Sequence, residues 1–190
     1  NTTYHAYDGV TAFLQQAPQN EHSFLYAFNI NYAFAELISE ACIGHWTPEQ
    51  GLSPITSWRA HKNEAEIAGF RRAMQHDGVA LVRFHRELDE KVADGSINQE
   101  TEWSIAERLE EIRAEHSEYR GLSFATIAGY AANGAIVHYE ATAEDHAQLA
   151  NKSFLLLDSG AHYVSGTTDI TRTIPLGVLS DEEKKAYTLV

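Results

Sequence analysis

Three side chains in the second half of the chain have the types and spacing that could do chemistry. Asp158 closes the apolar run Phe154-Leu155-Leu156-Leu157, Asp169 follows in GTTDITRT, and His138 sits in IVHY. A carboxylate at the end of a buried strand loses hydration, and a second one close by repels it. Hydrogen bonds, an exposed strand end or a cation must offset that. If Leu155–Asp158 and Thr168–Thr173 pair as an antiparallel hairpin, the two aspartates fall on neighbouring strands. Side chains directly opposed across such a ladder have Cβ atoms about 4.5–5.5 Å apart. Two carboxylates so placed can hold a pair of divalent ions about 3.5–4 Å apart, one acid chelating and the other bridging. Oxygen donors favour hard cations such as Mn²⁺ or Mg²⁺. The alternative is that Asp158 caps a strand end while Asp169 accepts from the amides of the GTTD turn; the spacing alone leaves both open. His138, between Val137 and Tyr139, reads by itself as a satisfied structural histidine. His162, four residues after Asp158, reads as a strand residue.

The elements that must position these residues are legible in outline. TAFLQQA around Phe13 and Leu14 predicts a short helix, SFLYAF a strand, and NYAFAELISEAC a helix with Phe34, Leu37, Ile38 and Cys42 at helical spacing. GHWTPEQGLSPITS, with two prolines and two glycines, reads as a domain boundary. Asn63 and Glu66 have the spacing of a capping box at the start of a long helix. Its apolar stripe is Ile67, Phe70, Met74, Leu81, Phe84, Leu88 and Val92, interrupted by Gly78. A second helix from about Thr101 turns Trp103, Ala106, Leu109 and Ile112 inward. LSFATIAGYAANGAIVHYEA then predicts strand, turn at Ala132-Asn133-Gly134, strand. The segment with the two aspartates predicts two more strands around a turn near Ser165-Gly166.

Composition excludes some function classes. The formal net charge of −13 argues against a nucleic-acid surface, which needs clustered Lys and Arg. No apolar run is long enough to span a bilayer. The single cysteine, Cys42, excludes an internal disulfide framework, suits a reducing compartment and reads as packing rather than a nucleophile. The chain opens at Asn1, so the lack of a signal peptide carries no weight. Ser180 and Glu183 start a helix that runs off the end at Val190 without a stop signal, so the 190 residues read as a piece of a longer protein.

LDSGAHYVSGTTDITRT, together with NGAIVHY, resembles the aminopeptidase P branch of the pita-bread metallopeptidases, the family of Xaa-Pro aminopeptidases, with prolidase, creatinase and methionine aminopeptidase as cousins. SPITSWRAHKNEAEI resembles the entry to that family's catalytic domain, and LSFATIAGYAANGAIVHY the strands that precede the first metal ligand. The likeness runs from about Ser53 to the end; the region before it resembles, more loosely, the end of the preceding domain in three-domain aminopeptidases P. The resemblance implies an α+β fold. Residues 56–190 would form the first half of a pita-bread catalytic domain, and residues 1–55 the close of an α/β domain. It implies that Asp158 chelates one metal, that Asp169 bridges both, and that His138 lies near the substrate and helps bind it or shuttle a proton at the scissile bond. The implied cofactors are two divalent ions, most often Mn²⁺, and the implied substrate is a peptide with proline in second position, from which the N-terminal residue is released.

The family needs five ligands, two aspartates followed by a histidine and two glutamates, and only the first two have counterparts here. The 190 residues alone are therefore expected to bind divalent ions weakly and to lack peptidase activity. An exposed sheet edge and helix face predict association with a second copy, a homo-oligomer, or with the remaining half. Ala141, after HYE, departs from a branch that often has proline nearby. A cytoplasmic location follows from the cysteine usage and the family. Two other classes compete: a pita-bread peptide- or protein-binding module without catalysis, and a creatinase- or prolidase-like hydrolase. The retained Asp158 and Asp169 argue against the first, and TIAGYAANGAIVHY with the preceding region against the second.

Overall fold

Cap and turn chemistry sets most element ends in the computed structural model, which describes residues 3–16, 22–27, 30–41, 46–51 and 53–190. They fall into two compact units, Asn1–Lys62 and Asn63–Val190.

In the first unit, α1 (Val10–Gln16), β1 (His22–Ala27), α2 (Tyr32–Ala41), β2 (Trp46–Gly51) and α3 (Pro54–Ala60) follow in order. The strands pair in parallel, from His22 opposite Trp46 to Ala27 opposite Gly51. Parallel neighbours need a crossover, and α2 supplies it. Asn31 caps its start by accepting the Phe34 amide at 2.9 Å. The two helices and the strand expected in this region are thus present; Cys42 lies outside the described residues. The Pro- and Gly-rich stretch after it folds as β2 and α3. Pro48 is tolerated because, among the described residues, this sheet has two strands and both are edges. Pro54 occupies a first-turn position, where a helix has no use for its N–H.

In the second unit, α4 (Glu64–Asp94) opens at the expected capping box. The Asn63 side chain accepts the Glu66 amide, and the Glu66 carboxylate accepts the Asn63 amide, each at 2.9 Å. It closes at Gly95, whose φ of 80° is the left-handed conformation glycine adopts freely. A second box, Thr101 with Ser104, starts α5 (Glu102–Ala114). Six strands follow: β3 (Tyr119–Leu122), β4 (Ile127–Tyr130), β5 (Phe154–Ser159), β6 (Ala161–Tyr163), β7 (Gly166–Thr167) and β8 (Ile170–Pro175). Helix α6 (Asp181–Leu189) closes the chain behind a third capping box at Ser180 and Glu183. The strands form two antiparallel sheets, ordered β3-β6-β7 and β4-β5-β8.

The main core lies between the helices and one face of the β4-β5-β8 sheet. Phe84 and Leu88 of α4 and Ile105, Leu109 and Ile112 of α5 pack with Leu155, Leu157, Ile170 and Ile174. The expected inward face of α5 is corrected by one position, since Ile105 is buried while Trp103 and Ala106 are half-buried.

The α4 stripe holds only in its second half. Ile67, Phe70 and Met74 are exposed, and Gly69, Ala73 and Asp77 are buried instead. The reason is steric. This half of α4 runs against the β6–β7 turn so closely that a methyl at Gly69 would collide with the Ser165 carbonyl oxygen, while a methyl at Gly166 would sit 3.3 Å from the Phe70 Cα. Large side chains cannot occupy that contact. Gly69→Ala is expected to destabilise the protein by about 1–3 kcal/mol through overpacking. Gly78→Ala, where an added methyl meets nothing within 4 Å, should stabilise by roughly 0.5–1 kcal/mol through helix propensity. Denaturant midpoints of the two variants moving in the same direction would contradict this packing.

A further correction concerns the expected strand after the Ala132-Asn133-Gly134 turn. The turn exists as a short 3₁₀ segment, Ala131–Ala135, but Ile136–Ala141 is not a strand. Gly134 packs onto the backbone of Gly129, within 2.8 Å of where a Cβ would be, so the turn folds over β4 rather than alongside it.

Candidate metal centre

Asp158 is the fifth residue of β5, whose burial alternates strictly. Leu155, Leu157 and Ser159 face the helices, so Phe154, Leu156 and Asp158 face the other way. Across the ladder Asp158 opposes Thr171 of β8, whose hydroxyl donates to Asp158 Oδ1 at 2.8 Å.

β5 does pair with β8, but the ladder spans Phe154–Ser159 against Ile170–Pro175. Asp169 falls one residue before β8. Here the ribbon is interrupted at Gly160, where a Cβ would collide with the Thr168 carbonyl oxygen and the Ser123 hydroxyl. Beyond the break the chain continues as the β6–β7 hairpin, turning at Val164-Ser165. Thr168 is buried and turned inward, and Asp169 is exposed. Alternation carried back from Thr171 puts Asp169 on the side of Asp158, as diagonal rather than direct partners. His162 lies in β6, its Nδ1 2.9 Å from the Thr167 hydroxyl.

Two buried acidic residues contrast with this pair. Asp77 of α4 and Arg113 of α5 are both 0% exposed and form a two-pronged ion pair, Nε to Oδ1 at 2.6 Å and Nη2 to Oδ2 at 3.0 Å. The Tyr163 hydroxyl donates to Asp77 Oδ1 at 3.1 Å and the Thr168 hydroxyl to Oδ2 at 2.9 Å. Burial, and next the Asp77 charge, push the Tyr163 phenol well above its ordinary pKa. Glu102, also 0% exposed, accepts from Tyr130 N at 2.6 Å, Ala147 N at 2.7 Å, the Tyr139 hydroxyl at 2.7 Å and Asn133 Nδ2 at 3.0 Å. It thereby ties down the loop that carries His138, which is exposed and has a φ of 56°. For a residue other than glycine that conformation is uncommon and strained.

Neither Asp158 nor Asp169 forms an ion pair among the described residues. Both are oxygen donors, the class that suits a hard divalent cation. Two such donors do not make a complete site: no cluster of three or more His, Cys, Asp or Glu able to hold a metal occurs among the described residues. Asp77, Arg113 and Glu102 were missed at the level of sequence. The available signal was a charged residue in the core-facing phase of a helix, as with Asp77 between Ala73 and Ala80.

Residues 68–190 match the metallopeptidase family M24. The chain belongs to this family. As an M24 chain it is 44% identical over 138 residues to a probable Xaa-Pro aminopeptidase P of Laccaria bicolor, covering 73% of this chain and 21% of that protein. It is 40% identical over 141 residues to the Xaa-Pro aminopeptidase ApepP of Drosophila melanogaster, covering 74% of this chain and 23% of that one. It therefore spans under a quarter of these two relatives. Among solved structures, the X-prolyl aminopeptidase of Caenorhabditis elegans, described as a cytosolic enzyme with a di-nuclear active site, aligns with a TM-score of 0.78 at 29% identity, over 94% of this chain and 29% of that one. Prolidase from Pyrococcus furiosus shares the fold, with a TM-score of 0.68 at 19% identity, over 100% of this chain and 51% of that one. The M24 chain is thus a mixed helix-and-sheet, partial pita-bread domain, as the resemblance implied. Among the described residues, no helix is long and apolar enough to cross a membrane.

Proposed function

We propose that this chain is part of a dinuclear-metal aminopeptidase that releases the N-terminal residue from peptides with proline in second position. The relatives' names support the substrate class. The observation that carries the reading within this chain is the contrast among its acids. Asp77 and Glu102 are buried with both oxygens of each hydrogen-bonded, whereas Asp158 and Asp169 share one side of a ribbon, less buried, and form no ion pair among the described residues. In this reading Asp158 and Asp169 would be the two carboxylates that this chain contributes to holding the metal ions. The two metal ions, when bound, would supply Lewis-acid chemistry to a peptide carbonyl and to water. Thr171 orients Asp158 through the 2.8 Å hydrogen bond. His138, held out on the loop that Glu102 clamps, binds substrate or carries a proton on its imidazole at the scissile bond. The bond to proline has no N–H, so these residues must recognise the substrate without a donor there.

Residues 1–55 are assigned to the end of a preceding α/β domain and 56–190 to the first half of the catalytic domain. The native ions are assigned as Mn²⁺, the compartment as cytoplasm and the assembly as a homo-oligomer. The 190 residues by themselves are expected to be inactive, because they hold two ligands.

In the intact protein, Asp158→Asn and Asp169→Asn should each lower kcat/KM for an Xaa-Pro peptide by more than about a hundredfold, beyond the range for a residue that merely supports a ligand. Exhaustive chelation should do the same, and Mn²⁺ should restore the wild type but not the variants. Unchanged cleavage by either variant would remove Asp158 or Asp169 from the site. Tight binding of the peptide without cleavage would instead favour a binding module.

A further inference from the structure

We propose that the buried Asp77–Arg113 ion pair is a positioning centre for the two metal-binding carboxylates, acting through Ser159 and Thr168. The inference rests on the reading of Asp158 and Asp169 as ligands. Arg113 Nη2 donates to Ser159 Oγ at 3.1 Å, and Ser159 is the residue after Asp158. Asp77 Oδ2 accepts from the Thr168 hydroxyl at 2.9 Å, and Thr168 is the residue before Asp169. One ion pair therefore holds both sides of the ribbon, Ser159 within β5 and Thr168 just before β8, each at the position adjacent to a candidate ligand.

The grip falls where the sheet itself cannot set geometry. The β5–β8 ladder ends at Ser159 opposite Ile170, so no strand pairing holds Asp169. Thr168 compensates with every polar atom it has. Its hydroxyl accepts the Ala161 amide at 3.0 Å, its own amide donates to the Ala161 carbonyl at 2.9 Å, and its carbonyl accepts the Ser123 hydroxyl at 2.9 Å. Successive side chains point to opposite faces, so fixing Ser159 and Thr168 inward fixes Asp158 and Asp169 outward. A ligand set works only when held within about 0.5 Å of its productive geometry by locked supporting residues. Stability alone does not call for this arrangement, because a buried ion pair is often no better than apolar residues of equal volume. What Asp77 and Arg113 add over such residues is direction.

The test uses the intact protein and Mn²⁺ alone, titrated by calorimetry, with Ser159→Ala, Thr168→Val, Thr168→Ser and a core control, Ile105→Val. Ser159→Ala and Thr168→Val should each weaken Mn²⁺ binding by about tenfold or more, the range for loss of an outer-shell partner. Thr168→Ser, which keeps the hydroxyl, should restore it. Activity of Thr168→Val should recover as Mn²⁺ is raised, because the ligands remain. Ile105→Val should lower the unfolding midpoint with Mn²⁺ affinity unchanged. If both hydroxyl deletions bind Mn²⁺ like the wild type while Asp158→Asn does not, the positioning role is wrong and the ligand reading stands. If Ile105→Val weakens binding as much as Thr168→Val, the effect is general destabilisation and the positioning role is again wrong. If Asp158→Asn and Asp169→Asn leave Mn²⁺ binding intact, the ligand reading itself fails, and this inference with it.

Discussion

Arg113→Met in the intact protein is expected to cost about 3–5 kcal/mol of folding stability, the range for breaking a buried pair from one side. Asp77 would keep the Tyr163 and Thr168 hydroxyls but lose both guanidinium bonds while remaining 0% exposed. An unpaired buried carboxylate has neither water nor a counter-charge, which is why removal of one partner exceeds the net worth of the pair. The double variant Asp77→Leu/Arg113→Met should recover a large part of the loss, since it removes the isolated charge. Recovery should be incomplete, because the hydroxyls of Ser159, Tyr163 and Thr168 lose the groups they bond. Denaturant midpoints of the three proteins measure this. A loss below about 0.5 kcal/mol in Arg113→Met, as for an ordinary surface substitution, would mean that the pair does not hold α4 and α5 to the ribbon. The surface pairs between the same helices, such as Arg83–Glu115 at 2.7 Å, are half-exposed and belong to the weak class, about 0–1 kcal/mol each.

Glu102→Ala is the second large effect. It strands two backbone amides and two side-chain donors, those of Tyr130, Ala147, Asn133 and Tyr139, at once. Hydrogen bonds to a charged group contribute about 1.5–3 kcal/mol each. They share one carboxylate and are not additive, and a net loss of about 3–4 kcal/mol is expected. The damage should be local before it is global: the segment from Ala131 to Ala147 detaches, and amide exchange at Tyr130 and Ala147 accelerates. Tyr139 provides a direct readout. Burial, and next the Glu102 carboxylate, push its phenol up to about 12. A raised folded pKa means that this stabilisation is complete below the ordinary tyrosine value of about 10 and is lost as pH rises through the folded one. The wild-type loop should therefore hold to about pH 10 and loosen towards 12. In Glu102→Ala the Tyr139 ionisation, followed by ultraviolet absorbance against Tyr139→Phe, should move down towards 10. Ionisation unchanged at about 12 would show that Glu102 does not govern this loop.

Much of the fold was legible because local chemistry decides it. The capping boxes at Asn63 and Ser180 and the helix from Thr101 are set by residues within one turn of each other, so they read directly from the chain. The αβ pattern before Ser53 was legible in the same way. The errors share a different origin. The stripe through Ile67, Phe70 and Met74 has the period of a buried face, yet that face is exposed. What packs there is a backbone turn from about a hundred residues later in the chain, and it admits only Gly69 and Ala73. The missing strand after Gly134 has the same cause: IVHY has strand composition, but Glu102 draws the segment over β4 by bonds spanning 31 to 45 residues.

By itself the sequence determined the family and the α+β class and singled out Asp158 and Asp169 as candidates, because these depend on residue types and on motifs within short stretches of chain. The tertiary structure alone decided that the ribbon breaks at Gly160, that Asp169 sits outside the ladder, and that a buried Asp77–Arg113 pair reaches the residues beside both acids. Periodicity records which side of its own element a residue faces. It carries no record of what arrives on that side from elsewhere in the chain, and a buried charge is stable only when its partner has arrived.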